Sequence, residues 1–196
     1  KTILIVAHNA ILRCLILKLI NDPSKGFRRL KLDNTSISIL NIDFNNWEER
    51  QVQIQCLNNI AHLHPSLPKK NSKKRIILVR HGETDWNKQG RFQGQIDIPL
   101  NQTGKAQAQA ASYFLKNVCI QKAFSSSLSR PRETAQIILK EHPGIEISLT
   151  DSLKEIGHGK WEGKLESEIK SDWPELLKTW KISPEKVQMP DGENIK

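Results

Sequence analysis

The sequence has no apolar run that approaches the ~20 residues of a membrane-spanning helix. Secretory and transit signals are absent too, although a chain that begins without methionine can have lost a leader. The hydrophobic content of 37% nevertheless suffices for a packed core, and 196 residues suit about one domain. We therefore expect a globular, cytoplasmic protein without a membrane partner.

Cysteine is scarce as well. Cys14, Cys56 and Cys119 are odd in number, lie far apart and stand inside apolar runs. This usage suggests neither a disulfide framework nor a zinc site. It predicts buried free thiols in a reducing compartment.

Acidic residues are fewer than basic ones, 21 against 30, and the resulting net charge of +9 suits an anionic partner. Much of the excess lies in residues 69–75, KKNSKKR, which follow a stretch with two prolines. This composition predicts a solvated hinge. A contact with nucleic acid or a membrane surface is the alternative. No aromatic residues stand between the lysines to stack on bases, so we expect no nucleic-acid partner.

Two short apolar runs, both rich in β-branched residues, lead to histidines. Residues 3–7 precede His8, and residues 76–79 lead through Arg80 to His81. Both runs are too short for a helix, and their composition predicts strands buried on both faces.

The remaining segments predict alternating helices and strands. Apolar spacing predicts a helix over residues 9–20 with Asn9 as its N-cap, and residues 35–42 and 50–58 predict an antiparallel pair. The other predicted elements are a helix at 101–117, a strand at 120–126, a helix at 129–142, a strand at 144–150 and a helical region at 161–180 broken at Pro174. This alternation favours an α/β fold, a three-layer α/β/α sandwich with a mostly parallel central sheet. Ligands of such sheets bind beyond the carboxyl ends of the strands, where both histidines stand.

The residue types of Arg80, His81 and Gly82 suit a phosphate site. Arg80 offers a planar fork of donors that matches phosphate oxygens, and Gly82 lets the backbone approach closely. His81 can act as a nucleophile when an acceptor holds its other ring nitrogen. Taken alone, this triplet is better explained by a structural histidine. Arg130 adds a second cation at the start of a predicted helix, where unpaired N–H groups favour an anion.

Six motifs together resemble the histidine phosphatase superfamily, also called the phosphoglycerate mutase-like family. They are RHGET at residue 80 with Asn87, RFQGQIDIPLNQTGKAQA at 91, SSSLSRPRETA at 125, LKEIGHGKWEG at 153, PDGEN at 190 and VAHNAILR at 6. Asn9 and Asp191 stand where the family usually has glycine. The joint match is highly specific.

The order of the motifs is permuted relative to the family, because VAHNAILR resembles its last catalytic motif and stands first here. We expect residues 1–60 to be the C-terminal half of one histidine phosphatase domain. Residues 61–74 form a basic, proline-containing linker, and residues 75–196 are the N-terminal portion of a second domain. The chain is then a piece of a tandem protein, and a natural circular permutant is the alternative.

The resemblance implies phosphohistidine chemistry at His81, with Glu155 as the general acid and then the general base. The groups it implies around the phosphoryl oxygens are Arg80, Arg130, His8, Asn87, Gln93 and Gly94. Because the arginines supply the positive charge, it implies no metal and no cofactor. In a tandem fragment His8 belongs to the other domain, but we expect the two halves to dock, since each otherwise exposes a strand edge.

The leading functional interpretation is a phosphomonoester hydrolase that acts on a small phosphorylated substrate, similar to α-ribazole phosphatases or broad-specificity phosphatases. A phosphoglycerate mutase, which retains the phosphoryl group with the same residues, is the alternative. A catalytically incomplete fragment with a binding or structural role is a third interpretation. The oligomeric state stays open, a dimer being one option.

Overall fold

The structure is a computed structural model that describes residues 3, 5–21, 27, 29–43, 51–62 and 75–194. The chain divides into two compact units, Lys1–Arg75 and Ile76–Lys196. The greater part of the expected linker, residues 63–74, lies outside the described residues. The assignment of residues 1–60 and 75–196 to two separate domains therefore stays a prediction, as does the permuted order.

The first unit contains helix α1 (Asn9–Leu19) and strands β1 (Ile37–Asp43) and β2 (Gln51–Asn59). The strands pair antiparallel with Leu40 opposite Ile54, which confirms the predicted hairpin-like pair. Among the described residues of this unit, the buried apolar side chains are Ile16, Leu17 and Leu32.

Helix α1 begins differently from the prediction. His8 occupies the N-cap position with extended backbone, and Asn9 is the first helical residue. The side-chain amide of Asn9 donates to the carbonyl oxygen of Leu32 at 2.7 Å. The side chain that was expected to cap the helix therefore makes a tertiary hydrogen bond instead. The prediction of three buried thiols is also wrong: Cys14 and Cys119 are exposed and Cys56 is half-buried, although all three are free cysteines.

The two predicted buried strands are not strands in the described part of the chain. Residues 3, 5–7 and 76–79 have no ladder partner there. Val6 is 85% exposed and Leu78 is 90% exposed. An apolar, β-branched run is buried on both faces only when strands pair with it on both sides and helices cover it. Composition alone therefore did not predict whether these runs pair with neighbouring strands or are buried.

The described residues of the second unit form five α-helices and two strands, besides three short 3₁₀ turns. The helices and strands are α2 (Asp85–Gln89), α3 (Gln102–Leu115), β3 (Ala123–Ser126), α4 (Ser129–Leu139), β4 (Ile147–Thr150), α5 (Glu166–Asp172) and α6 (Pro174–Ile182). Strands β3 and β4 run parallel with Ala123 opposite Ile147. The predicted α/β class is confirmed, and the break before Pro174 is where α6 begins. Among the described residues, the parallel sheet of the prediction is represented by this one pair. No helix described there is long and apolar enough to cross a membrane.

A core of apolar side chains fixes the C-terminal part of the second unit. Its buried members are Trp161, Ile169, Leu177, Val187 and Met189. Phe92, Trp173, Leu176 and Trp180 pack against this cluster. Trp161 is fully buried, and it anchors the segment that carries the LKEIGHGKWEG motif.

Helix α3 supports the backbone beside His81. Its N-cap residue Asn101 accepts from the N–H of Gly104 at 2.8 Å and donates to the Glu83 carboxylate at 2.8 Å. The two glycines Gly82 and Gly104 face each other so closely that a Cβ atom on either would overlap the backbone across the contact. The helix therefore reaches the loop after His81 only because Gly104 has no side chain.

We expect Gly104→Ala to destabilise the protein by about 1–3 kcal/mol, because the added methyl group overlaps the carbonyl oxygen of Glu83. This loss outweighs the roughly 1 kcal/mol that alanine gains over glycine in a helix. The measurement is the free energy of unfolding in urea. Thr103→Ala on the exposed side of the same turn is the control and should stay within about 0.5 kcal/mol. A Gly104→Ala protein as stable as the control would contradict the close contact.

Candidate active site

The imidazole of His81 lies half-buried between two hydrogen-bonding partners. Its Nδ1 atom is 2.7 Å from the carbonyl oxygen of Gly82, and Arg130 Nε donates to its Nε2 atom at 3.3 Å. A carbonyl oxygen can only accept and a guanidinium can only donate. The proton of the neutral ring therefore sits on Nδ1, and Nε2 carries the lone pair.

The surroundings of His81 keep its ring neutral. Burial is the largest effect and lowers the pKa of His81 below its ordinary value of 6.5. The positive charges of Arg130 and Arg80 lower this pKa further. The bond to the Gly82 carbonyl and the charge of Glu155 act in the opposite direction without reversing the shift. The lone pair on Nε2 is thus available at neutral pH.

A capping box at the start of α2 positions two of the predicted neutral donors. Thr84 is the N-cap residue, its hydroxyl accepts from the Asn87 N–H at 3.1 Å, and the Asn87 side-chain oxygen accepts from the Thr84 N–H at 3.1 Å. Gln93 Nε2 donates to the Thr84 hydroxyl at 2.5 Å. The Asn87 oxygen is therefore engaged by the cap, and its amide nitrogen is the end suited to donate to a ligand. The sequence signal for Thr84 as an N-cap residue was the pattern T-x-x-N at residue 84, which is close to the usual capping box.

The side chain of Arg130 is 1% exposed and stands in the first turn of α4. Its Nη2 atom donates to the carbonyl oxygen of Gly94 at 2.7 Å, and Nη1 donates to that of Ile96 at 3.1 Å. Gly94 is therefore linked to the site by its carbonyl group, which binds Arg130. Burial lowers the pKa of Arg130, and the carboxylates of Asp97, Glu155 and Glu162 oppose that shift. A guanidinium remains charged in proteins, so a permanent cation stands beside His81.

A cleft of about 340 Å³ brings most of the predicted residues together. The predicted residues that line it are Arg80, His81, Asn87, Gln93, Arg130 and Glu155. The cleft is also lined by four residues that were not among the predicted site residues: Gly90, Arg91, Phe92 and His158. A second, larger and more open cleft of about 510 Å³ between α4 and β4 contains none of the predicted site residues.

His158 stands at the wall of the smaller cleft. Its ring is 7% exposed and makes edge-to-face contacts with Phe92 and Trp180, each at 5.5 Å between ring centres. Its Nδ1 atom is buried without a described partner. Burial lowers the pKa of His158, and the nearby Glu155 and Glu162 raise it by less. The ring therefore forms a neutral wall of the cleft and also packs against the aromatic residues behind it.

Glu155 has an exposed side chain on a segment with well-fixed backbone. Its carbonyl oxygen accepts from Gln95 Nε2 at 3.2 Å. Two residues on, the Gly157 N–H donates to the Glu193 carboxylate at 2.8 Å. The charge of Glu155 acts on both His81 and Arg130, which places the carboxyl group within electrostatic reach of both side chains.

His8 lies in the first unit with an exposed side chain at the N-cap of α1. Its predicted part in the phosphate site stays a prediction. In the described ranges, no three His, Cys, Asp or Glu residues form a cluster that could hold a metal ion.

Several known proteins resemble this chain in sequence. Phosphoserine phosphatase 1 of Hydrogenobacter thermophilus is 36% identical over 121 residues, which cover 62% of this chain and 57% of that protein. The phosphatase PhoE of Bacillus subtilis is 40% identical over 102 residues, which cover 52% of each chain. Phosphoglycerate mutase-like protein 4 of Arabidopsis thaliana is 36% identical over 118 residues, which cover 60% of this chain and 51% of that protein. The chain thus spans about half the length of the curated relatives that it matches.

Solved structures show the same fold. YhfR of Bacillus stearothermophilus superposes with a TM-score of 0.56 at 34% identity, covering 59% of this chain and 56% of that chain. The α-ribazole phosphatase of Shigella flexneri gives a TM-score of 0.55 at 27% identity, covering 59% and 57%. The sequence profile of the histidine phosphatase superfamily, branch 1, matches residues 1–55 and 76–196. The chain therefore belongs to the histidine phosphatase superfamily.

Proposed function

We propose that the protein hydrolyses a small phosphomonoester through a phosphohistidine formed on Nε2 of His81. The observation that carries the proposal is the hydrogen-bonding state of that ring. The Gly82 carbonyl holds the proton on Nδ1, and the Arg130 guanidinium lies against the lone pair on Nε2. Relatives named as phosphatases, among them phosphoserine phosphatase 1, support the same reaction.

In the first step, the lone pair of His81 Nε2 attacks phosphorus and the bond from phosphorus to the leaving oxygen breaks. The phosphoryl group enters between His81 and Arg130, and the Nε–H of Arg130 then donates to a phosphoryl oxygen instead of the imidazole, a charge-assisted hydrogen bond that stabilises the developing charge. Arg80 and the Asn87 amide add donors from the cleft wall. Glu155 gives its proton to the leaving oxygen, which departs as an alcohol.

In the second step, the Glu155 carboxylate accepts a proton from water, and the resulting hydroxide oxygen attacks the phosphohistidine. The bond from phosphorus to Nε2 breaks and its electron pair returns to His81. Inorganic phosphate leaves, and Glu155 is again protonated. Positive charge for both steps comes from Arg80 and Arg130, so the proposal includes no metal and no cofactor.

The cleft suits a small phosphorylated substrate. A volume of about 340 Å³ lies at the small end of ligand sites and fits a compact phosphomonoester. We further propose a cytoplasmic location and no nucleic-acid or membrane partner. Three free cysteines support a reducing compartment.

A phosphoglycerate mutase is the second candidate, because curated relatives of that name are 32% and 33% identical to this chain. In that reaction the phosphohistidine passes its phosphoryl group to a second alcohol instead of water. The two candidates share the first step and differ in the acceptor. The products formed from a phosphoglycerate distinguish the two candidates. A phosphatase releases free phosphate, and a mutase forms the isomeric ester.

We expect His81→Asn to abolish hydrolysis of 4-nitrophenyl phosphate, because asparagine cannot form the phosphoenzyme. The assay contains a chelator throughout. Quenching the unaltered protein with labelled substrate in alkaline detergent should trap a base-stable, acid-labile phosphohistidine that is missing from the variant. His62→Asn, at an exposed turn position, is the control and should retain the full rate. Chelator-sensitive hydrolysis that survives in His81→Asn would refute the mechanism.

We expect Glu155→Gln to slow hydrolysis of alkyl phosphates by about 10²–10⁴-fold, the usual contribution of a general acid. Hydrolysis of 4-nitrophenyl phosphate should fall much less, since nitrophenolate leaves without a proton. The measurement is kcat/KM for both substrate types. Glu141→Gln, which removes one exposed carboxylate elsewhere, should change neither value. Equal losses on both substrates would show that Glu155 has a different role.

We expect the pKa of His81 to lie below 6.5 in the protein and to rise in Arg80→Met, because the Arg80 charge disfavours the imidazolium. Ring-proton NMR titration measures both values, with the His81 signal assigned by its loss in His81→Asn. Arg132→Met, at an exposed position in the same helix as Arg130, should leave the pKa unchanged. An unchanged or lower pKa in Arg80→Met would contradict the electrostatic account.

A further inference from the structure

Glu162 of the WEG segment binds three backbone N–H groups through its carboxylate. Oε1 accepts from Gln95 at 3.0 Å and from His158 at 3.0 Å. Oε2 accepts from Ile96 at 2.8 Å. The carboxylate therefore ties the loop at residues 94–96 to the segment that carries the proposed general acid.

The same loop orients the cation beside His81. The carbonyl oxygens of Gly94 and Ile96 accept from the two terminal nitrogens of Arg130 at 2.7 and 3.1 Å. A guanidinium with both ends fixed leaves its Nε–H in one direction, which is toward Nε2 of His81 at 3.3 Å. The position of the loop thus decides the position of the Arg130 donors.

We propose that Glu162 is a positioning residue for the proposed reaction: its carboxylate holds residues 94–96 so that their carbonyl groups aim Arg130 at His81. Glu162 itself does not line the cleft. An effect of Glu162 on the hydrolysis rate therefore rests on the proposed function, whereas its effect on the position of Arg130 does not.

Only a carboxylate meets the demands of this position. Three N–H donors converge on Glu162, and an ionised carboxylate accepts at both oxygens and donates nothing. A glutamine would turn an NH₂ group toward at least one of these donors and leave it without an acceptor. The negative charge also opposes the burial cost of the Arg130 cation.

Gly94 provides an independent sign that the carboxylate occupies a fixed place. A Cβ atom at residue 94 would overlap Glu162 Oε1, and it would approach the backbone nitrogen of His158 to 2.9 Å. Residue 94 thus has no side chain because Glu162 fills the space. The part of Gly94 in phosphate binding stays a prediction, and the contact with Glu162 is a separate reason for a glycine at this position.

Asp97 also restrains the position of Arg130, but it does so by binding helix α4 next to Arg130 and not the guanidinium. Its carboxylate accepts from the N–H of Ser129 at 2.7 Å and from the Ser129 hydroxyl at 2.8 Å. The first turn of α4 is therefore fixed to residue 97, while the guanidinium is fixed to residues 94 and 96. Loss of Glu162 should therefore release the guanidinium, whereas the contact between Asp97 and α4 should remain.

The test is the pKa of His81, measured by NMR titration in Glu162→Gln and Glu162→Asp. The charged groups that act on the ring are Arg130, Arg80 and Glu155. If Glu162 positions Arg130, its loss moves the guanidinium off the ring and the pKa rises. Removal of a negative charge without movement would lower the pKa, so the sign separates the two effects. Glu162→Asp retains the charge, withdraws the carboxylate by one methylene and should also raise the pKa.

A double-mutant cycle with Arg130→Lys separates positioning from local unfolding. Lysine cannot span the two carbonyl groups and His81, so Glu162→Gln should cause little further rise in that background. A rise of equal size in both backgrounds would overturn the proposal, as would an unchanged or lower pKa in both Glu162 variants. Glu166→Gln removes a carboxylate that pairs with Lys181, outside the loop contacts, and should leave the pKa unaltered.

Hydrolysis of 4-nitrophenyl phosphate is the second measurement. We expect Glu162→Gln to lose up to about 10²-fold in kcat/KM, the effect of a misplaced catalytic group. The titration tests the positioning role of Glu162, and the rate tests the proposed function, so either proposal can be refuted without the other. A protein without hydrolytic activity whose His81 pKa responds as expected would refute the proposed function alone. An active protein whose pKa does not respond would refute the role of Glu162 alone.

Discussion

The buried guanidinium of Arg130 is the constraint on which the site depends. A cation of this size is stable inside a protein only when its donors are matched. Here two of its nitrogens are matched by backbone carbonyl groups and the third by the imidazole of His81. Its three bonds link residues 94 and 96, helix α4 and the imidazole of His81, and together with the Gly82 carbonyl they fix the proton of that ring on Nδ1. Carboxylates stand around the arginine to offset its burial.

Much of the site could be predicted from the sequence, because residues such as His81, Arg130 and Glu155 stand in motifs whose residue types carry the chemistry. The supporting groups could not. Glu162 works by accepting from three backbone amides, and a sequence does not show which amides lack partners. The same limit applies to Gly94: a glycine in a pattern marks close approach, but only coordinates show whether a ligand or a side chain approaches.

Predictions of the fold succeeded where local pattern decides and failed where distant pairing decides. The antiparallel pair in the first unit and the helix break before Pro174 follow from alternation and from the geometry of proline. Burial of residues 76–79 depends on neighbouring strands, and the described residues supply none. Asn9 was expected to cap α1 because asparagine favours that position, but its side chain met the carbonyl of Leu32. Tertiary contacts thus overrode a sound local preference.

Every described contact that sets the state of His81 comes from residues 80–162, all in the second unit. His81 and the groups that shift its pKa thus lie within one unit of the chain. Under the proposed mechanism, segments that recognise the rest of a substrate can change without a change in the basicity of the proposed nucleophile. A superfamily whose members carry the names of phosphatases and of mutases is what such modularity would produce.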